Sequence, residues 1–283
     1  DAANHNVAVG SSAGAAVTTG VNNTFIGGLA GDAITTGIRH TALGQGSLST
    51  ETTGRAAVAV GFNALATLNV GSNLESYNVA VGSEAGAAMT VGLRNTIIGG
   101  LAGDALTDAD DNIAIGQGAL GTDTLGSKSV AVGRAALATQ NFTTAADTYN
   151  TAVGFQAGTA VTTAVQNTLI GAQVGDALTE GARNTAVGYV ALSSDTRGQY
   201  STAVGYAALF SSNQTTAVNT YNVAVGYNAG GAVTTGTYNT LLGGLSGDAI
   251  TDADYNVALG TQALSADTLG SRTVAIGHAT LQT

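Results

Sequence analysis

The chain has 283 residues with a net charge of −10; 44% are apolar, only 9% are charged, 41 are glycine, and there is no proline, cysteine or tryptophan. Eight basic residues scattered singly give no stripe to neutralise phosphates or anionic headgroups, which excludes nucleic acid and direct membrane docking as partners. The absence of cysteine excludes a disulfide framework and Cys-based zinc sites, and so apolar a chain is not disordered.

A scarcity of aromatic and leucine volume points away from a compact globule and toward a thin core of Ala, Val and Ile. No run of about 18 apolar residues predicts a membrane-spanning segment. No signal peptide stands at the start, so the chain is expected to be a mature piece or fragment whose anchor lies elsewhere.

The predicted elements are set by one motif, Asn-x-Ala-Val-Gly, running from end to end. Its glycines are Gly10, Gly27, Gly44, Gly61, Gly82, Gly99, Gly116, Gly133, Gly154, Gly171, Gly188, Gly205, Gly226, Gly243, Gly260 and Gly277. Their spacing is 17, 17, 17, 21, repeated, so four quartets of four coils recur every 72 residues. Seventeen residues are too few for a helical-hairpin repeat but suffice for one turn of a narrow β-coil. The expectation is an all-β parallel β-solenoid of sixteen coils, a single domain over 1–283. Coils stacked about 4.8 Å apart would make a rod of roughly 75 Å. The four extra residues of each fourth coil enlarge one loop at a fixed edge, within 69–77, 141–149 and 213–221.

Columns of the repeat predict the packing. One residue before each Gly is always apolar and three before is Val, Thr or Ile, so these two columns share a face. They are expected to fill the coil interior. The position between them is Ala in twelve coils, as at Ala8, Ala80, Ala152 and Ala224, and large in the second coil of each quartet, at Phe25, Ile97, Leu169 and Leu241. A strand apolar on both faces is buried on both. The middle column is therefore expected to form a subunit interface, most simply with copies of the same chain, the four large residues acting as plugs along a shared axis. The alternative is a single chain with an Ala-lined interior.

Further columns support stacking. Four before each Gly is Asn in eleven coils, read as a turn residue and a ladder along the solenoid. Four after each Gly the quartets read Gly, Gly, Leu, Leu. Eight after is Thr in twelve of fifteen coils, which raises an ice-binding reading, although the neighbouring column is too varied for a flat face.

The motif in Asn78-Val-Ala-Val-Gly82 and Asn112-Ile-Ala-Ile-Gly116 resembles the head repeat of YadA-like trimeric autotransporter adhesins. The longer form in Asn184-Thr-Ala-Val-Gly-Tyr-Val-Ala-Leu192 is similar to repeats of phage tail fibres. The resemblance covers all sixteen coils. It implies a left-handed β-roll, a homotrimer and an attachment function at a cell surface or virion tail. It departs from the adhesin head in its longer coil and in having no neck, stalk or anchor.

Candidate binding residues gather five before each Gly: Tyr77, Arg94, Tyr149, Arg183, Tyr200, Tyr221, Tyr238, Tyr255 and Arg272. Tyr and Arg are typical anchors of binding surfaces, and the expected partner is a host-surface glycan or protein. Asp32, Asp104, Asp176 and Asp248 lie in a partial Gly-Gly-x-Gly-x-Asp pattern and are weak calcium candidates, 72 residues apart. Asp108, Asp110, Asp111, Asp252 and Asp254 read as solvated acidic loops. His5, His40 and His278 sit in different coils with no triad around them, so neither catalysis nor a cofactor is expected. The function expected is a surface-displayed adhesive rod; the alternatives are a spacer or filament stacking head to tail, and the ice-binding solenoid.

Overall fold

A computed structural model describes residues 4–71 and 74–282. The chain is an all-β parallel β-solenoid of sixteen turns, with no helix among the described residues. It falls into two compact units, Asp1–Thr148 and Tyr149–Thr283.

In the first unit eight three-residue strands run in chain order: Val7–Val9, Thr24–Ile26, Thr41–Leu43, Val58–Val60, Val79–Val81, Thr96–Ile98, Ile113–Ile115 and Val130–Val132. Each pairs parallel with the next in an unshifted register, as in Val7↔Thr24, Ala8↔Phe25 and Val9↔Ile26. The second unit repeats this with Thr151–Val153, Thr168–Ile170, Thr185–Val187, Thr202–Val204, Val223–Val225, Thr240–Leu242, Val257–Leu259 and Val274–Ile276.

The burial pattern reverses the expected faces. The middle residue of each strand points into the coil. Ala80, Ala152, Ala224, Ile97, Leu169 and Leu241 are fully buried, and Phe25 is 1% exposed. Ala8, in the first coil, is exposed. The flanking residues face outward: Ile98 is 38% and Ile170 40% exposed. The middle column is therefore the wall of the coil's own core and not a free subunit interface. The physical reason is parity. The motif Asn is buried, and the residue two after it shares its side of the strand. Once Asn points in, so must Ala, and the branched residues must point out.

The interior is narrow, and its volume is balanced coil by coil. Large middle residues sit where the position four after Gly is itself Gly. A Cβ on Gly31 would lie 2.5 Å from the Phe25 ring, and one on Gly247 would lie 2.7 Å from Leu241. In the third and fourth coils, where the middle residue is Ala, that position is a buried Leu, as in Leu48, Leu65, Leu120 and Leu137. In the first coil the middle residue is Ala but the position is still Gly, because the next coil's large residue reaches it, a Cβ on Gly14 lying 2.7 Å from the Phe25 ring. The Gly, Gly, Leu, Leu rhythm is this exchange of volume between the two walls, required by close packing.

The motif Gly is fixed for a separate reason. Its φ runs from 125° at Gly277 to 142° at Gly82, a region open to glycine alone. At Gly188 a Cβ would also sit 2.3 Å from the carbonyl oxygen of Gly205 in the next coil.

The Asn column braces each coil across its width. Asn167 Nδ2 donates to the Gly181 carbonyl at 2.9 Å, and Asn150 Oδ1 accepts the Asn167 amide at 3.0 Å. The same pair of bonds recurs at Asn23, Asn95, Asn184 and Asn239. These asparagines bond backbone far more than one another. The left-handed conformation expected of them belongs to the residue just before, as at Tyr77 (φ 48°) and Arg94 (φ 58°).

Every fourth coil breaks the column, with Ala57, Ser129, Ser201 and Thr273 in place of Asn. There the lengthened loop brings in its own buried hydroxyl: Ser129 Oγ meets Thr148 Oγ1 at 2.5 Å, and Ser201 Oγ meets Thr220 Oγ1 at 2.6 Å. Positions 72 and 73 of the first lengthened loop, 69–77, lie outside the described residues.

Candidate binding surface

The column five before each motif Gly lies just before the buried Asn column and two residues before an outward strand residue. Its backbone is left-handed in all sixteen coils, from His5 to Arg272. For residues other than glycine this costs about 1–2 kcal/mol. Gly or Asn would be cheapest there, yet only Asn22 is of that kind; most of the column is Tyr, Arg and other long side chains. Side chains are thus kept at a position where backbone energetics favour losing them, and the two units use them differently.

In the first unit the stripe is a charge ladder. Arg39 Nη2 lies 2.5 Å from Glu75 Oε1, and the Tyr77 hydroxyl bonds the other oxygen of Glu75. Arg94 bridges Asp111 at 2.6 Å and Asp110 at 3.0 Å, and Lys128 reaches Asp147 at 2.5 Å. Hydrogen bonding from Arg94 lowers the Asp111 pKa, and the same contact raises that of Arg94. The acidic residues Asp110 and Asp111, expected as a solvated loop, are partners in this ladder.

In the second unit the stripe is aromatic. Tyr200, Tyr221, Tyr238 and Tyr255 stack on successive coils, with ring centroids 5.1, 5.3 and 4.8 Å apart. Arg183 covers one end at 5.4 Å from the Tyr200 ring, and Arg272 the other at 5.5 Å from Tyr255. Each ring covers much of the next ring's face, so the outer boundary of the ladder is ring edges and phenol hydroxyls. Tyr149 stands half-exposed on the same column, two coils before Arg183.

A second ladder was not singled out from the sequence. Tyr189, Tyr206 and Tyr227 follow their motif glycines directly and stack at 5.8 and 5.3 Å, each about half-exposed. The signal was the Gly-Tyr dipeptide in three consecutive coils, whose parity is that of the outward strand residues.

The remaining candidates resolve into structural roles. Hydroxyls of the Thr column donate along the stack to the next coil's carbonyl, Thr18 to Thr35 at 3.1 Å and Thr179 to Thr196 at 3.0 Å. In lengthened coils the acceptor is Asn, as from Thr52 to Asn69 at 3.2 Å. These hydroxyl protons are committed within the protein.

Asp32, Asp104, Asp176 and Asp248 occupy one half-buried position in four separate coils. Burial raises the pKa of Asp104, Asp176 and Asp248, and one oxygen each of Asp32, Asp176 and Asp248 is buried without a hydrogen-bond partner. No group of three acidic or histidine side chains suited to a metal occurs among the described residues. Asp254 Oδ1 accepts from the Thr237 amide at 2.7 Å, which makes that acidic residue a loop brace.

Sequence reasoning also missed four carboxylates, one in the third coil of each quartet. Glu51, Asp123 and Asp195 are fully buried. Each holds the loop of its own coil and the lengthened loop of the next. Glu51 accepts from the Gly54 amide at 2.8 Å and the Val70 amide at 3.1 Å; Asp195 accepts from Gly198 at 2.9 Å and Gln214 at 3.1 Å. Asp267 makes the corresponding bond to Gly270 at 2.8 Å. Their 72-residue period was the available signal.

His40 takes the place of Asn in the third coil. Its Nε2 lies 2.8 Å from the Gly54 carbonyl and its Nδ1 accepts the Ala57 amide at 3.2 Å, the pattern of a neutral ring protonated on Nε2. Burial holds its pKa below 6.5. Neither His5 nor His278 lies in the same coil.

Searches against protein-family models, curated proteins and solved structures gave no match to this chain.

Proposed function

We propose that this chain is a segment of a surface-displayed, homotrimeric adhesive rod of the YadA-like head or tail-fibre kind, attaching to a glycan or protein on a host surface. The observation that carries the reading is the outward strand face. With the coil interior already filled, each unit still leaves two in-register columns of β-branched and aliphatic residues half-buried or exposed, with Ile98 and Ile113 exposed in one unit and Ile170 and Val225 in the other. The column just before the motif Gly is Val, Ile or Leu in every coil, and contiguous apolar surface of this kind marks an interaction site. Copies of the same chain offer the same repeat, so three chains packed on these columns bury them without any change of register. On this reading the seam between chains lies on the outward columns rather than on the Ala column. The role calls for no catalysis, and display outside a cell or on a virion tail fits the attachment it serves.

The Tyr and Arg stripe beside this face supplies the attachment surface in the second unit. The first unit favours the spacer role, because its stripe is occupied by its own ion pairs.

Light scattering on the purified chain tests the assembly. A mass of three chains is expected, and Ile170→Lys is expected to reduce it while leaving the circular dichroism unchanged, since the side chain faces out. A wild-type monomer at all concentrations overturns the trimer. Binding to arrayed host glycans and matrix proteins tests adhesion, and no reproducible ligand on either leaves the spacer role.

A further inference from the structure

The second unit carries a feature that adhesion in general does not require: a four-ring tyrosine ladder whose repeat is that of the coils themselves. Tyr200, Tyr221, Tyr238 and Tyr255 present one phenol per coil. Among the described residues the hydroxyls of Tyr200, Tyr238 and Tyr255 have no hydrogen-bond partner, and that of Tyr221 takes one from Asn219 at 3.4 Å. From Arg183 to Arg272 the stripe crosses five coil steps, roughly 24 Å. Stacking alone does not account for it. A ring pair contributes about 0.5–1.5 kcal/mol, similar to the cost of holding each Tyr in the left-handed region.

Resting on the adhesive reading above, we infer that this ladder is a lengthwise track for a linear, unbranched, β-linked polysaccharide, with successive sugar rings in step with successive coils. The argument is one of matched repeat. An extended β-linked glycan advances by about the length of one pyranose ring per residue, close to the rise of one coil. Each added sugar therefore meets another ring edge and another phenol, which is both donor and acceptor for sugar hydroxyls. Because the rings cover one another's faces, a single terminal sugar finds no free aromatic face to stack on, and affinity accumulates only along the track. The two arginines lie at its ends, where they cap the terminal rings and donate to the polymer. The corresponding column of the first unit, with its carboxylates and ion pairs, offers no such row.

The test is calorimetric titration of the full chain with β-1,4-linked gluco- and N-acetylgluco-oligosaccharides of two to six sugars, with α-1,4-linked maltohexaose as a control of the same size but curved path. Affinity is expected to rise at least about tenfold from the disaccharide to the pentasaccharide and then level off, with maltohexaose weak. Tyr238→Ala, an exposed side chain whose loss leaves the coil core intact, is expected to remove most of that gain. Tyr77→Ala, in the first unit, is expected to leave it unchanged.

Affinity independent of length, or a length dependence indifferent to Tyr238→Ala, overturns the track. If none of these oligosaccharides binds while the chain still adheres to host glycans or proteins, the track fails and the adhesive reading stands; if nothing binds at all, both fail. A change of mass in light scattering for Tyr238→Ala, with no saccharide bound, makes the ladder a contact between copies and likewise overturns the track.

Discussion

The two units share one backbone and differ in what they place on its outer corner. The same left-handed position carries Arg39, Arg94, Asp111 and Lys128 in the first unit and Tyr200, Tyr221, Tyr238 and Tyr255 in the second. Nothing in the coil core explains the difference, since both units keep the buried Asn, the motif Gly and the alternation of Gly with Leu on the facing wall. The interior columns set the shape, and the corner column is left to determine what the surface does. A charge ladder satisfies itself and is sensitive to salt; a tyrosine ladder leaves hydroxyls open and is not. Function is therefore sought in the second unit, and the first is the internal control.

The comparison breaks first if the cores are not equivalent. Gly82→Ala in the first unit and Gly188→Ala in the second should each cost about 3 kcal/mol or more. The new methyl would lie 2.5 Å and 2.3 Å from the backbone of the next coil, in a backbone region that alanine avoids. Denaturant unfolding measures the loss, and a mild effect in either unit alone would mean the shared backbone is not under the same constraint. Next in size, Phe25→Ala and Leu169→Ala should cost about 3–5 and 2–5 kcal/mol by opening a cavity. If either residue were an exposed plug between chains, it would instead change the oligomer mass and leave monomer stability nearly intact.

His40 sharpens the comparison through pH, because the second unit has no buried histidine. Folding depresses its pKa, so the unfolded chain takes up the proton first. The stabilisation is complete above about pH 6.5 and declines as pH falls through and below that value, by at most about 1.4 kcal/mol per unit. Hydrogen exchange at pH 5 and pH 7 should show this loosening around the third coil only, and His40→Asn, which restores the repeat residue, should remove it. Loosening that persists in the variant would place the titration elsewhere.

The corner ladders themselves should have small effects on stability. Arg94→Ala is expected to cost about 0.2–1 kcal/mol in low salt and less in high salt. Tyr238→Ala is expected to cost about 0.5–1.5 kcal/mol at either ionic strength. Equal salt dependence in thermal melts would dissolve the distinction between the ladders. Smallest of all, Asp176→Asn and Asp248→Asn should be neutral or slightly stabilising at pH 7, since burial already disfavours the charge. A calcium-dependent rise in Tm that these substitutions abolish would reinstate the metal reading.

The repeat was legible throughout. Coil length, strand position, the lengthened fourth coil and the structural Asn column all follow from spacing, which stacking imposes on every coil alike. Also legible was that both faces of each strand are apolar. Which face lies inside was not, because alternation fixes parity but not its origin when neither face is polar. The buried Asn decided it: with Asn150 and Asn167 bonded across the coil interior, Ala152 and Leu169 had to follow them inward.

The meaning of the Gly-Gly-Leu-Leu rhythm, the buried carboxylates and the second tyrosine ladder likewise required the fold. Each depends on which residues of different coils meet: Gly14 with the Phe25 ring, Asp195 with the Gln214 amide, Tyr206 with Tyr227. By itself the sequence determined a stack of identical rungs, since a rung's pattern is local and repeats. Only the tertiary structure decided what each rung turns inward and what it leaves open, because that is settled by volume and hydrogen bonding across a core one side chain wide.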